Sequence, residues 1–319
     1  MLEIELDIFS GMPNPTWKLS KRQEATLYEM LRADPAQMTR VAASDTRLGL
    51  GYRGLIVRQI KPDAGAWNKA TSARRAPFPI EFRLGRQPAK KASAAEWLMK
   101  TADRQGARIA DAVHEVVSLG VVLTPLLPGP RDPAAKIDRK RVPKAEIAAD
   151  VPYDLRSKHH ETWWACGSNY FSANANYFND PAHVTRNNCY CFASNVMPDI
   201  RYALPGKLGG RPAASMDCGS VIDGLRADGW NDGCQPNGLT IAMVIWPGQD
   251  YHFYRLVTGG PYWWWGHKPG GTPARYTDDC GHAIYQYQGQ GYAPNNICRG
   301  GYSDFCGYFY QNNDTAYVA

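Results

Sequence analysis

Residues 239–257 read LTIAMVIW-PGQD-YHFYRLV, and this stretch decides the fold of the C-terminal half. Residues 239–246 form a continuous apolar run, which predicts a buried β-strand. The Pro-Gly-Gln-Asp sequence that follows is typical of a turn, and residues 251–257 return as a second strand rich in aromatic side chains. A third short strand is expected at residues 262–265. An antiparallel sheet is therefore the expected centre of this half of the chain.

Two short helices are expected on the N-terminal side of this hairpin. In residues 185–199, TRNNCYCFASNVMPD, Asn187 and Asn188 are good N-cap residues, and Pro198 limits the helix that follows. Cys189 therefore falls in the first helical turn, where unpaired backbone N–H groups and the helix dipole favour a thiolate. Residues 220–227 predict a second, amphipathic helix.

The chain predicts an α+β fold in three parts. Residues 1–119 predict a separate small α+β domain, in which Ser20 begins a helix as its N-cap and Glu24 lies near the capping-box position. Residues 120–160 are rich in proline and basic residues and predict a linker or strap. Residues 161–319 predict an aromatic- and cysteine-rich domain. In the first part, strands are expected at residues 2–8, 54–60 and 80–84, and further helices at 92–105 and 107–119.

Charge and cysteine usage bear on location and partners. The formal net charge of +6 is compatible with an anionic surface as partner, and no motif indicates specific nucleic-acid binding. Neither a secretory leader nor a membrane-spanning run is expected. All eight cysteines lie between Cys166 and Cys306, a pattern typical of a disulfide framework. We therefore expect export by a leaderless route, or otherwise a cytoplasmic protein, and Cys191 is the candidate for an unpaired thiol.

The order of these features resembles that of the papain-like thiol hydrolases, especially the compact bacterial NlpC/P60- and CHAP-type domains. The resemblance covers about residues 185–282: a helix that begins with Cys189, a hairpin whose second strand opens with His252, and a further strand. It implies a helix packed on an antiparallel sheet, with Cys189 as nucleophile and His252 as base. The third, orienting residue is expected to be His267, with Asp278 and Asp279 as alternatives.

The chemistry implied is hydrolysis of an amide bond without a metal or other cofactor. His252 would take the thiol proton, and the thiolate would attack the carbonyl of a protein or a peptidoglycan peptide. Asn187 or Asn188 would stabilise the oxyanion. Residues Trp263, Trp264 and Trp265 would line a substrate groove. The hypothesis includes an exported toxin, for which an inhibitor protein would be a partner.

Two other interpretations compete with the hydrolase. The first is a non-enzymatic, disulfide-stabilised binding or structural protein, in which Cys189 is a cross-link or a core residue. The second is a metal-binding protein that uses Cys189 and Cys191 together with His183 or His267. The state of the Cys189 thiol and its distance from the histidines separate the hydrolase from both.

Overall fold

The fold is described from a computed structural model in which two compact units are distinguished. Unit 1 comprises Met1–Ile8, Asn14–Ala42 and Gly51–Leu127, and unit 2 comprises Phe9–Pro13, Ala43–Leu50 and Pro128–Ala319. The structure describes residues 1–39, 41, 50–60, 78–85, 93–104, 107, 109–114, 116–117, 177–235, 238–258, 262–287 and 290–319.

The described residues of unit 1 include a four-stranded antiparallel sheet and helices packed with it. Its sheet has the order β2-β1-β3-β4. The expected N-terminal strand and helices are confirmed in type. The elements are β1 Leu2–Leu6, β2 Thr16–Lys18, α1 Lys21–Ala33, a 3-10 turn Pro35–Gln37, β3 Leu55–Gln59, β4 Glu81–Leu84 and α2 Ser93–Arg104.

The start of α1 shows how local sequence sets the structure of unit 1. Ser20 is the N-cap, and its hydroxyl accepts a hydrogen bond from the Gln23 backbone while the Gln23 side chain binds the Ser20 N–H. This is a capping box, but the side chain that binds the Ser20 N–H belongs to Gln23 and not to Glu24. Glu24 instead accepts a hydrogen bond from the Leu2 N–H at 2.6 Å and so ties α1 to β1.

A buried ion triad stabilises the interior of unit 1. Asp7 receives hydrogen bonds from Arg53 at 2.8 Å and from Arg83 at 2.7 Å. Burial alone would raise the pKa of Asp7, but the two guanidinium groups hold it well below its usual range. The carboxylate therefore remains charged and compensated, as a buried charge must be.

Unit 2 contains a six-stranded antiparallel sheet in the order β10-β5-β6-β7-β8-β9. The predicted hairpin forms its centre, and the last long strand, β10, had no counterpart in the sequence-based expectation. The elements are α3 Cys189–Ala193, α4 Cys218–Ala227, β5 Gly238–Trp246, β6 Asp250–Thr258, β7 Tyr262–His267, β8 Tyr285–Tyr287, β9 Gln290–Gly291 and β10 Asp304–Asn312.

The main core of unit 2 lies between one face of this sheet and the two helices. Every residue of β5 is buried, and so is every residue of α3. Phe192 of α3 packs edge-on against Phe178, and Tyr190 packs against Phe253 of β6. The short α3 is therefore a core element, stabilised by burial of its aromatic side chains more than by its own length.

Both units combine helices with antiparallel sheets, so the α+β class is confirmed. The papain-like fold stays a prediction. The predicted linker at 120–160 lies outside the described residues, and the three-part division of the chain stays a prediction too. No helix in the described part of the chain has the length and apolar character needed to cross a membrane.

Unit 2 carries the cysteines that the structure describes. Disulfides join Cys218 to Cys306 and Cys280 to Cys298, and Cys234 is also disulfide-bonded. Cys189 and Cys191 are free thiols. The expectation of a disulfide framework is confirmed for these residues, and the free thiols are the two that α3 carries.

Candidate functional site

The predicted nucleophile lies at the start of a well-capped helix. Cys189 is the first residue of α3, and Asn188 is the N-cap. The Asn188 side-chain oxygen accepts hydrogen bonds from the backbone N–H groups of Tyr190 and Cys191, both at 3.2 Å. The expected helix start is therefore present, and its free N–H groups are satisfied by the cap.

The surroundings of Cys189 do not favour a thiolate. The side chain is fully buried in the core between α3 and the sheet, and its Sγ lies 3.8 Å from the Tyr251 carbonyl oxygen. Burial raises the pKa of the Cys189 thiol well above its usual range, and the nearby Asp250 carboxylate raises it further. A reactive cysteine needs a lowered pKa and solvent access, and Cys189 has neither.

Cys191 is also a core thiol. Its Sγ donates to the carbonyl of Ile200 at 3.4 Å, and burial raises its pKa to about 11. It is unpaired, as expected for the odd cysteine, but burial makes it as unreactive as Cys189.

His252 lies on the opposite face of the sheet from Cys189. Successive side chains of a strand point to opposite faces. Tyr251 and Phe253 belong to the core under α3. His252, between them, faces the other way and contacts the ring of Tyr302. Strand alternation therefore separates the Cys189 thiol from the His252 imidazole, and the expected nucleophile–base pair is not formed.

His252 instead pairs with His267. His252 Nε2 lies 2.8 Å from His267 Nδ1, and His267 Nε2 lies 2.8 Å from the Thr277 carbonyl oxygen. Burial, together with the positive charge of Arg275, lowers the pKa of His267 well below its usual range. The structure therefore brings two predicted site residues together as a buried pair, on the face of the sheet opposite to Cys189.

Asp278 and Asp279, the two alternatives for the third catalytic position, form hydrogen bonds with loop residues. Asp279 binds Arg275 at 3.1 Å and accepts a hydrogen bond from the Leu50 N–H. Burial raises its pKa to about 6. Asp278 accepts hydrogen bonds from the N–H groups of His282 at 2.7 Å and Cys298 at 3.1 Å. Both carboxylates thus bind groups of their own or neighbouring loops, and these contacts hold the loops in place.

The two candidate oxyanion donors use their amides within the fold. The Asn187 side-chain N–H groups donate to the His183 carbonyl at 3.0 Å and to Asp199 at 2.9 Å. The Asn188 amide donates to the Ala203 carbonyl at 2.9 Å. These contacts shape the turn around α3, and they engage the donors that an oxyanion would need.

The three tryptophans of β7 do not share one face. Trp265 is fully buried and packs against Tyr308, whereas Trp264 stacks on Tyr285 with ring centroids 4.9 Å apart. Trp263 and Trp265 point to one face and Trp264 to the other, because the side chains of a strand alternate. A single groove wall made of all three is therefore excluded by the strand geometry.

The expected metal ligands are likewise not gathered. His183 Nδ1 binds Asp199 at 2.9 Å, and His267 is held by His252 and Thr277. Among the described residues, the cluster of three potential ligands consists of Cys280, His282 and Cys298. The alternative that used Cys189 and Cys191 with His183 or His267 is therefore not supported by geometry.

The Asp250 carboxylate accepts several hydrogen bonds in unit 2, and sequence reasoning treated this residue only as part of a turn. Its carboxylate accepts hydrogen bonds from the N–H groups of Ser10 at 2.5 Å, Gly11 at 3.1 Å and Met12 at 2.7 Å, and from the Tyr302 hydroxyl. Burial raises the pKa of Asp250 to about 6, against the effect of these donors. The Phe9–Pro13 segment is thereby fixed to the first residue of β6.

Lys268 is a second polar centre that sequence reasoning missed. Its ammonium group is fully buried and donates to the carbonyl oxygens of Val184, Asn187 and Gly270, each at 2.6 Å. Three acceptors match the three donors of an ammonium group. Lys268 therefore joins the end of β7 to the turn that precedes α3.

Comparison with known proteins gives one informative match. No protein-family model and no solved structure matches the chain. Insoluble matrix shell protein 1 of Ruditapes philippinarum is 41% identical over 126 residues, which are 39% of this chain and 78% of that protein.

The match corrects the functional prediction. A relative named as a shell matrix protein contradicts the amide hydrolase, and with it the thiol-protease and toxin hypotheses. It agrees better with the alternative of a disulfide-stabilised binding or structural protein. The buried thiol and the separated histidine give the physical reason: the residue types were right for thiol catalysis, but the strand register divides them.

Proposed function

Because the chain belongs to the family of insoluble matrix shell protein 1, we propose that it is a secreted structural protein of an extracellular matrix. The 41% identity to that protein, which covers most of the relative's length, is the observation that carries the proposal. In this role unit 2 is a stable module that is incorporated into the matrix, and it performs no reaction.

The polar chemistry of unit 2 supports a structural role. Cys189 is held in the core with a raised pKa, and the His252–His267 pair is buried on the other face of the sheet. Asp250 and Lys268 each bind backbone groups from distant parts of the chain. Buried charges used in this way fix chain segments, whereas catalysis needs groups that reach a substrate.

The disulfides support location outside the cell. The Cys218–Cys306 and Cys280–Cys298 bridges are typical of an oxidising compartment, such as the secretory route and the extracellular space. Cross-links between distant segments also reduce the tendency of the folded chain to unfold.

The surface of unit 2 offers contacts for other matrix components. Large apolar side chains that are exposed there are mainly tyrosines, which combine a flat apolar ring with a hydroxyl that forms hydrogen bonds. Such side chains are favoured at protein interfaces. The exposed set consists of Tyr177, Tyr202, Leu208, Tyr287, Tyr292 and Tyr317.

Fractionation of the source tissue tests the proposal. The extracellular matrix is isolated, extracted with detergent and salt, and divided into a soluble and an insoluble fraction. An antibody against unit 2 is expected to detect the protein mainly in the insoluble fraction. Recovery of the protein from the cytosol, or only from the soluble extract, would contradict a structural matrix role.

A binding experiment with matched variants identifies the contact surface. Purified protein is mixed with washed insoluble matrix and sedimented. Joint replacement of Tyr287 and Tyr292 by serine is expected to lower the bound fraction, because both rings are exposed on neighbouring chain segments. Replacement of the exposed Lys207 by serine is the control and should leave the bound fraction unchanged.

The resemblance of residues 185–282 to papain-like hydrolases stays a prediction about the fold of this region. Packing of α3 against β6 supports it. Such a relationship would mean that unit 2 has the fold of a thiol hydrolase but serves a structural role. A shared fold does not imply hydrolase activity.

A further inference from the structure

A surface loop of unit 2 collects three groups that bind transition metals. Residues 278–282, here called the DDCGH loop, carry Cys280 and His282, and Cys298 lies on the segment between β9 and β10. The ligand atoms of these three residues lie within 4.8 Å of one another. Two thiolates and an imidazole form a ligand set that Zn²⁺ accepts, with a fourth coordination position left for water or another ligand.

The structure shows this cluster in its oxidised state, with Cys280 and Cys298 joined as a disulfide. A disulfide and a thiolate metal site exclude each other, because the same sulfur atoms are needed. The cluster is thus available to a metal only after the bridge is reduced. Whether it then remains assembled depends on the contacts that hold its members in place without the S–S bond.

Backbone hydrogen bonds hold Cys298 beside the loop independently of the bridge. The Cys298 N–H donates to Asp278 Oδ2 at 3.1 Å, and the Asp279 N–H donates to the Cys298 carbonyl at 3.2 Å. The loop itself is closed by a hydrogen bond from the Gly281 N–H to the Asp278 carbonyl at 3.1 Å. The two sulfurs therefore stay close when the disulfide opens.

The imidazole of His282 is oriented by two neighbours. Its Nδ1 lies 3.5 Å from Asp278 Oδ2, and its ring stacks on Tyr292 with centroids 5.4 Å apart and planes inclined by 7°. A carboxylate beside a ring nitrogen is the usual device that fixes the orientation of a metal-binding histidine. Cys280 and His282 are exposed, so an ion reaches them from solvent.

We propose that reduction of the Cys280–Cys298 bridge converts the DDCGH loop into a Zn²⁺ site with Cys280, Cys298 and His282 as ligands. A dithiol reductant supplies two electrons and two protons, the S–S bond breaks, and the reductant becomes a disulfide. Zn²⁺ then displaces the two thiol protons and bonds to both sulfurs. The loop is cross-linked in either state, by the disulfide or by the metal.

Cobalt titration of the full-length protein tests the site, because Co²⁺ replaces Zn²⁺ and reports thiolate ligands by charge-transfer absorption. The protein is reduced with a water-soluble phosphine under native conditions, freed of metal and titrated with Co²⁺. We expect one thiolate-bound Co²⁺ per chain, displaced on addition of Zn²⁺. Oxidised protein is expected to show no thiolate charge-transfer band.

Variants assign the ligands. Joint Cys280→Ser and Cys298→Ser replacement should abolish the band, and His282→Gln should weaken Co²⁺ affinity by about tenfold or more. Joint Cys218→Ser and Cys306→Ser replacement removes the Cys218–Cys306 bridge and should leave the band intact. Absence of the band in the reduced wild-type protein would overturn the proposal, and so would its persistence in the Cys280/Cys298 variant.

Discussion

Removal of the Asp250 carboxylate is the perturbation that best tests how unit 2 is held together. In Asp250→Ala, the backbone N–H groups of Ser10, Gly11 and Met12 and the Tyr302 hydroxyl lose their shared acceptor. All of these contacts lie in or at the edge of the buried interior. The substitution adds no atoms, so it creates unsatisfied donors without a steric clash.

The expected loss is large by the standards of single substitutions. A buried donor left without a partner costs about 1–3 kcal/mol, and four such donors set an upper range. Water that enters the space of the lost carboxylate can bind some of these donors and so reduces the loss of stability. Removal of a buried charge reduces the loss further. We therefore expect the free energy of unfolding to fall by about 3–5 kcal/mol, a substantial part of the roughly 5–15 kcal/mol typical of a folded domain.

Urea unfolding followed by circular dichroism measures this loss, and limited proteolysis locates it. In the variant, chymotrypsin is expected to cleave after Phe9, because the segment has lost its anchor. Asp304→Ala is the matched control: Asp304 is exposed, and its carboxylate accepts from Ser303. A loss below about 1 kcal/mol with unchanged cleavage would refute the inference that Asp250 anchors the segment.

Three further perturbations address other parts of unit 2. Lys268→Met leaves three buried carbonyls without their donor and should lower the free energy of unfolding by about 3–5 kcal/mol in urea titration, whereas an unchanged midpoint would show that the ammonium is dispensable. The Cys218–Cys306 bridge spans 88 residues and the Cys280–Cys298 bridge spans 18. If disulfides act by restricting the unfolded chain, loss of the longer bridge should lower the free energy of unfolding by about 1.4 kcal/mol more than loss of the shorter one. Equal losses would contradict this chain-entropy explanation. The pKa of His267 is lowered, so the unfolded chain binds a proton that the folded chain does not, and stability falls as pH drops below about 6.5. Relative to His267→Gln, the wild-type protein should lose stability as the pH falls from about 6.5 to about 5, and a pH-independent difference would contradict the lowered pKa of His267.

Much of the local structure follows from sequence pattern. The apolar run at 239–246 and its aromatic return predicted β5 and β6. Ser20 was correctly predicted as an N-cap, and the N-cap of α3 is Asn188, one of the two asparagines proposed for that position. These signals are local, because a cap or a hairpin depends on a few neighbouring residues. Strand β10 escaped prediction because its sequence, DFCGYFYQN, alternates poorly and contains a bulge beside Gly307.

The arrangement of side chains across the sheet did not follow from the same patterns. Chain order placed Cys189 before His252 as in thiol hydrolases, but whether they meet depends on strand register. A one-residue difference in register exchanges the two faces of a strand, and here Tyr251 and not His252 faces α3. Similarly, the Asp250 cluster joins residues about 240 positions apart, a separation that no local pattern reports.

Thiol reactivity in the native state is the measurement that tests the structural account of unit 2 most directly. The oxidised, folded protein is treated with iodoacetamide at pH 7, and alkylation of Cys189 and Cys191 is followed by peptide mass spectrometry. The account predicts negligible modification of both thiols until urea unfolds the chain, because both are buried with raised pKa values. Rapid, stoichiometric alkylation of Cys189 in the folded protein, abolished at lower pH with a histidine-like midpoint, would contradict it and restore a thiol nucleophile.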